Sequence, residues 1–358
     1  MRRLFLLMIA GCAVLAAGQK IVGGPVVVNV TSGTATVVWV VESDQATLRP
    51  PDGAPARVSP SLRVEKTTLA GLQPNTRYEY GVGGDGGATG SFKTPPNGAA
   101  PFQFVVFGDT RTRHDVHRRV IQAIIKHGVP DFVVNTGDLV ANGDESSLWP
   151  VFFDIEKDLL RQAAFFPALG NHERNSRDFY DFFQVATPYY SFNWGNAHFI
   201  VLNSDIGNVA KSKFVRDAYW AEQTRWLEED LAGSQKADYR FVVAHHPPIS
   251  ATSNRAPGND WMAALEPLFE KYRLTAGFFG HDHNYQHFLK NGVHYVITGG
   301  GGAPLYDVAK PPAGITIKVA SIENFTTIRV DGKVARLEAI AVDGTKLDEI
   351  EFKGGAQQ

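Results

Sequence analysis

Five short motifs in this sequence carry side chains of types that can bind metal ions. They are Gly108-Asp109, Gly137-Asp138, Gly170-Asn171-His172, His245-His246-Pro247-Pro248 and Gly280-His281-Asp282-His283. Asp109 and Asp138 offer carboxylates, and one carboxylate can face two cations. Asn171 offers a neutral amide oxygen. His245, His281 and His283 offer imidazole nitrogens. Such a mixture of nitrogen and oxygen donors suits zinc, iron or manganese. It is enough to hold two ions, the arrangement used for in-line displacement at phosphorus. The i, i+2 spacing of His281 and His283 would put both rings on one side of an extended backbone, each toward its own ion. Asp282 would then point away and support them.

Each motif by itself is weak. A Gly-Asp pair is commonly a plain turn, and a lone His after a strand is more often structural than ligating. The ordered set is specific because every member follows an apolar, strand-like run. These runs are Phe102–Phe107, Asp131–Asn135, Phe165–Leu169, Tyr239–Ala244 and Ala276–Phe279. In an open α/β sheet, ligands bind beyond the carboxyl ends of the strands.

Between these runs lie amphipathic segments. His114–His127 carries Val116, Val120, Ile121, Ile124 and Ile125 at helical spacing. Glu145–Leu160, Tyr219–Leu231 and Asp260–Tyr272 read as further helices. Strands alternating with helices indicate a layered α/β domain from 101 to 358. It closes with strands at Thr326–Val330, Ala335–Val342 and Leu347–Phe352. Residues 22–96 read differently. Val26–Val30 and Thr34–Val40 are rich in β-branched residues and split by Ser32-Gly33. Leu72–Tyr80 looks like a tyrosine corner leading into a strand. Pro95-Pro96-Asn97-Gly98 reads as the linker.

The chain has 358 residues, room for two domains. Its 35 basic and 37 acidic residues give a net charge of −2, so no basic surface advertises a nucleic-acid partner. Residues 1–18 read as a secretory signal: Arg2-Arg3, then an apolar stretch from Leu4 to Ala17, then small residues. That stretch of about 14 residues is short against the ~20 of a membrane span. Ile9-Ala10-Gly11-Cys12 also resembles a bacterial lipobox, which would leave Cys12 lipidated and the protein anchored at a membrane. Both readings export the chain to the periplasm, the cell surface or the medium. Cys12 is the only cysteine, so the remainder has neither disulfide nor thiolate ligand.

The order Asp, Gly-Asp, Gly-Asn-His-Glu, His, Gly-His-x-His resembles the calcineurin-like metallophosphoesterases. With its N-terminal β region, similar to a fibronectin type III domain, the chain looks most like their purple acid phosphatase branch. Tyr285, just past the last motif, fits that branch's habit of placing an aromatic there. The resemblance implies a four-layer α/β/β/α sandwich preceded by an all-β sandwich. It implies one ion held by Asp109, Asp138 and His283, and a second held by Asp138, Asn171, His245 and His281. A hydroxide between the ions would attack the phosphorus of a phosphate monoester. His172 would contact the phosphoryl oxygen and protonate the leaving group. A phosphodiesterase of the same fold, or an inactive surface-binding module, are the competing readings.

Two positions depart from the family. The purple branch places a Tyr three residues after the second Asp, where this chain has Ala141. Other metallophosphoesterases place a His two residues after the first Asp, where this chain has Arg111. The first ion is thus left with three identified protein ligands, to be completed by water, a main-chain carbonyl or a nearby side chain such as Asn142. Without the phenolate the protein should not be purple. Arg111 has the fork suited to phosphate oxygens, yet it also reads as a solvated helix start. His246 reads either as a substrate contact or as a structural histidine against Pro247, and Tyr285 as a pocket wall. Glu173 reads as an orienting residue. His198 reads as part of a strand, and Gly299–Gly302 as a tight turn forced by close packing, with a phosphate-cradling loop as the alternative.

Overall fold

A computed structural model of the protein describes residues 20–43, 47–48, 57–58, 61–83, 87–309 and 311–355. The signal segment and Cys12 lie outside the described residues. None of the described helices is long and apolar enough to cross a membrane.

Two large sheets face each other. The first has nine strands in the order Lys346–Lys353, Val334–Ala341, Asn324–Asp331, Phe102–Phe107, Phe132–Asn135, Ala164–Pro167, Lys20–Val28, Thr34–Ser43 and Ser61–Ala70. The second has seven: Tyr190–Trp194, Ala197–Val201, Tyr239–Ala244, Ala276–Phe279, Val293–Thr298, Tyr285–Lys290 and Thr316–Ala320. Strands Phe102–Phe107, Phe132–Asn135 and Ala164–Pro167 run parallel. So do Tyr239–Ala244 and Ala276–Phe279 in the other sheet. Every strand that precedes a motif therefore belongs to a parallel group, and all five are buried along their length apart from one half-buried position, Gln103. Burial on both faces explains their unbroken apolar runs.

Aromatic rings fill the space between the sheets. Phe104 stacks on Phe132 at 5.0 Å and meets Phe199 of the opposite sheet edge-on at 5.1 Å. The outer face of the first sheet is covered by helices His114–His127 and Trp149–Leu160, packed through Val120, Ile124, Phe152 and Leu159. Helix Lys213–Gly233 covers the second through Leu227 and Leu231. The result is the four-layer α/β/β/α arrangement.

The all-β N-terminal region is tied into this frame. Its strand Lys20–Val28 pairs parallel with Ala164–Pro167 through Val27 and Ala164, so three of its strands extend the first large sheet. Alternate side chains serve two cores: Val27, Val37, Trp39 and Val41 face the inter-sheet core, while Val26, Val28, Val38 and Val40 face the helical layer. A hairpin of Arg77–Val82 and Ala88–Lys93 packs through Tyr78, Tyr80 and Phe92. The expected corner is formed, with the Tyr78 hydroxyl accepting the backbone N–H of Gln73 at 2.7 Å.

Three helices differ from expectation. The segment expected at Glu145–Leu160 is α-helical only from Trp149, after a 3₁₀ turn at Ser146–Leu148. Asp260–Tyr272 divides into Asp260–Ala263 and Glu266–Lys271, because Pro267 supplies no N–H and must sit in a helix's first turn. The segment expected at Tyr219–Leu231 starts six residues earlier, at Lys213.

Candidate functional site

The loops beyond the parallel strands are zipped together before any side chain is considered. Thr136 N–H donates to Phe107 O at 3.0 Å, Asp109 N–H to Gly137 O at 2.9 Å, and Arg111 N–H to Asp138 O at 3.1 Å. The chain then reverses at three of the candidate residues themselves: Asp109, Asp138 and His281 have φ of 60°, 58° and 66°. Such left-handed backbone is costly outside glycine and concentrates at functional sites. The preceding glycines serve mainly by being small. A Cβ on Gly280 would come within 2.5 Å of Asp109 Oδ2, and one on Gly170 within 2.4 Å of Asp138 Oδ1.

Asp109, Asp138 and His283 form one buried group, their ligating atoms all within 4.8 Å of one another. His283 Nε2 lies 3.4 Å from Asp109 Oδ1. Its Nδ1 donates to Pro304 O at 2.6 Å, and its ring stacks on Tyr306 at 4.1 Å. Donation from Nδ1 to a carbonyl fixes the tautomer and leaves Nε2 with a bare lone pair facing the carboxylate.

The second group adjoins the first through Asp138. Asp138 Oδ1 lies 3.3 Å from His245 Nε2. Asn171 Oδ1 lies 3.1 Å from both His245 Nε2 and His281 Nδ1, and these two nitrogens are 3.2 Å apart. His245 Nδ1 donates to Thr136 O at 2.8 Å, so its Nε2 also faces inward. Burial, then the neighbouring His246 and His245, hold the His281 pKa far below that of a free imidazole. A neutral ring is what a ligand must be.

His281 and His283 face adjacent groups as their spacing suggested, but not on an extended backbone. The left-handed φ of His281 and the bonds Asp282 N–H to Gly280 O and Asn284 N–H to Asp282 O make successive tight turns. Asp282 points away, toward Ser250 and Gln286 Nε2, with Arg255 Nε 3.7 Å off.

His246 sits closer to the donors than its sequence position suggested. It forms one cluster with His245 and His281, its ring 4.1 Å from that of His281. Ser204 Oγ accepts its backbone N–H at 2.8 Å and lies 3.0 Å from its Nδ1. Burial, then the charges of His245 and Arg255, hold its pKa well down. Beside it lies a cavity of about 150 Å³ lined by His246, His281, Arg255 and Asn259 among others.

His172 is partly exposed. Its backbone N–H donates to Asp138 Oδ1 at 3.0 Å, its Nδ1 donates to Ala141 O at 2.8 Å, and its Nε2 stands 3.9 Å from Asp138 Oδ2. Arg111 Nε lies 3.4 Å from the same Oδ2, buried and too poorly aligned to bond.

Other expectations need correction. Tyr285 does not line a pocket: it is fully buried in the inter-sheet core and donates to Asp348 Oδ2 at 2.9 Å. It begins a strand whose pleat turns it inward. Asn142 does not fill the vacancy in the first group, because its side chain is spent on Glu145 and on the Asp144 N–H. Arg113 is structural, bonded to Gly302 O, Ala303 O and Glu323. Gly299–Gly302 is a packing turn, where a Cβ on Gly301 would strike Gly108 O at 2.2 Å. Arg255 and Tyr306 were not singled out by their motifs. Glu173 orients, as read: its carboxylate accepts the backbone N–H of Asp138, Leu139 and Gly170, each at 2.8 Å. Burial, then the Asp138 charge, push its pKa upward against these bonds.

Similarity to known proteins agrees with this geometry. An uncharacterized protein of Mycobacterium tuberculosis is 30% identical over 274 residues, covering 64% of this chain and 52% of the relative. Purple acid phosphatase 21 of Arabidopsis thaliana is 28% identical over 270 residues, covering 68% of this chain and 59% of the relative. The chain thus spans a little over half the length of these curated relatives. Among solved structures, a purple acid phosphatase from yellow lupin (Lupinus luteus) seeds superposes with a TM-score of 0.71 at 21% identity, covering 92% of this chain and 74% of that one. The model of the calcineurin-like phosphoesterase family matches residues 102–285, about half of the sequence and every motif described above. The chain belongs to the calcineurin-like phosphoesterase family.

Proposed function

We propose that this chain is an exported, metal-dependent phosphoesterase that hydrolyses phosphate monoesters, in the manner of an acid phosphatase. Asp109, Asp138 and His283 would hold one ion, and Asp138, Asn171, His245 and His281 the other. One observation carries the reading. Bare imidazole nitrogens face carboxylate and amide oxygens at 3.1–3.4 Å, their opposite nitrogens pinned by backbone carbonyls. Lone pairs facing lone pairs in a buried place call for a cation between them. Iron, zinc or manganese fits this donor set. When bound, such ions supply positive charge for the phosphoryl oxygens and an acidic water as nucleophile.

The remaining work falls to the chain. Arg111 would contact a phosphoryl oxygen, the guanidinium fork being suited to that shape. With Ser204 against its Nδ1, His246 keeps Nε2 for a second oxygen. Ala141 fixes the His172 tautomer, so Nε2 is the nitrogen left to carry a proton to the leaving alkoxide. Residues 22–96 act as a β module fused to the catalytic part, 101–358. The start of the sequence, with its Arg2-Arg3 pair and apolar run, supports export.

The test pairs metal analysis with an activity panel on the purified full chain. About two transition-metal ions per chain are expected, with p-nitrophenyl phosphate cleaved faster than bis(p-nitrophenyl) phosphate. Faster diester cleavage would make the protein a phosphodiesterase. A chain that stays metal-free under saturating zinc, manganese and iron would make it a binding module.

A further inference from the structure

We infer that the two ions are held unequally, and that Arg111 is what makes the first site the weak one. The inference rests on the two-ion reading above and concerns affinity, which that reading leaves open. The second group supplies four converging donor atoms, from Asp138, Asn171, His245 and His281, with His246 in the same cluster. The first supplies three, from Asp109, Asp138 and His283. Neither side chain expected to complete it serves: Ala141 has no side-chain donor, and Asn142 is turned into its own loop. Both oxygens of Asp109 also accept the His281 backbone N–H, at 3.1 and 3.0 Å. Part of their electron density is already engaged.

Arg111 adds a charge effect. Its guanidinium stands 3.4 Å from Asp138 Oδ2 with Nε buried and unbonded, on the carboxylate that the two groups share. A fixed positive charge there offsets one of the two carboxylates that would attract the first ion. Repulsion between like charges is strong in a buried setting. The second ion, held mainly by neutral nitrogen and amide donors, depends less on carboxylate charge. Arg111 therefore weakens the first site while remaining available to a phosphate oxygen. The centre would cycle between a one-ion and a two-ion form as metal supply changes.

The full chain, stripped with a chelator, is titrated with zinc alone and separately with manganese alone. The expected result is two binding steps, the second at least about tenfold weaker. Asp109→Asn removes only the weak step. Arg111→Ala strengthens the weak step about tenfold by removing charge, Arg111→His strengthens it further by adding a donor, and Arg111→Lys leaves it near wild type. Two steps of equal affinity in the wild type would overturn the inference. So would a weak step that Arg111→Ala leaves unchanged. No binding at all would sink the two-ion reading itself, a distinct outcome. Circular dichroism of each variant checks that the fold is retained.

Discussion

Glu173 grips Asp138 by its main chain: the Asp138 N–H donates to Glu173 Oε2 at 2.8 Å, and the Gly170 N–H donates to the same oxygen. One buried carboxylate thus ties the loop that follows Phe132–Asn135 to the loop that follows Ala164–Pro167. These loops carry Asp138 and Asn171. Glu173→Gln would put an NH₂ where an acceptor is needed and leave backbone donors unpaired. We expect a loss of about 2–4 kcal/mol in unfolding free energy by urea titration. Bound metal should fall with it. A variant with wild-type stability and metal content would show that the grip is dispensable.

Asp138→Asn should empty both metal groups, since Asp138 belongs to each. Asn tolerates the left-handed φ of 58° at this position, so the fold should survive. Mass spectrometry of metal content reads the outcome. Loss of one ion alone would mean that Asp138 does not bridge.

His172→Ala should keep both ions and lose roughly 10²-fold or more in kcat. The loss should shrink for substrates whose leaving group needs no proton, such as a nitrophenolate. A lost metal ion would instead make His172 a ligand.

A histidine away from the centre should set an acid limit on stability. His294 Nδ1 lies 2.9 Å from His287 Nε2, and His287 Nδ1 lies 2.7 Å from Asp348. Burial, then the His287 charge, lower the His294 pKa from 6.5 to about 4. The unfolded chain binds this proton below pH 6.5, while the folded chain resists it until about pH 4. Stability should therefore fall as pH drops through that window and flatten below it. For this half-buried ring the loss is on the order of 1–2 kcal/mol after solvent screening. His294→Gln should flatten the slope of urea midpoint against pH between 6.5 and 4. An unchanged slope would place the sensitivity elsewhere.

The convergence of these candidate donors was legible because metal chemistry restricts residue types and the parallel strands leave long apolar runs ahead of them. Asp109, Asp138, Asn171, His245, His281 and His283 converge as their spacing suggested. What the sequence hid depends on packing between distant segments. His246 joins the donor cluster only because Ser204 arrives from another strand end. Tyr306 and Arg255 lie in loops without a motif, and they meet His283 and Asp282 only in three dimensions. Tyr285 misled because adjacency to a ligand in sequence says nothing about pleat direction. The pairing of Lys20–Val28 with Ala164–Pro167 joins segments far apart in sequence, and no local pattern announces it.

That last pairing limits how this protein can be taken apart. Cutting the gene near Pro95 would leave Ala164–Pro167 as a raw sheet border a few residues ahead of Asn171. Unpaired N–H and C=O groups on such a border recruit other chains. An excised 101–358 segment should clump, and a swapped-in amino-terminal segment would have to rebuild that seam before the donor residues could be set in place.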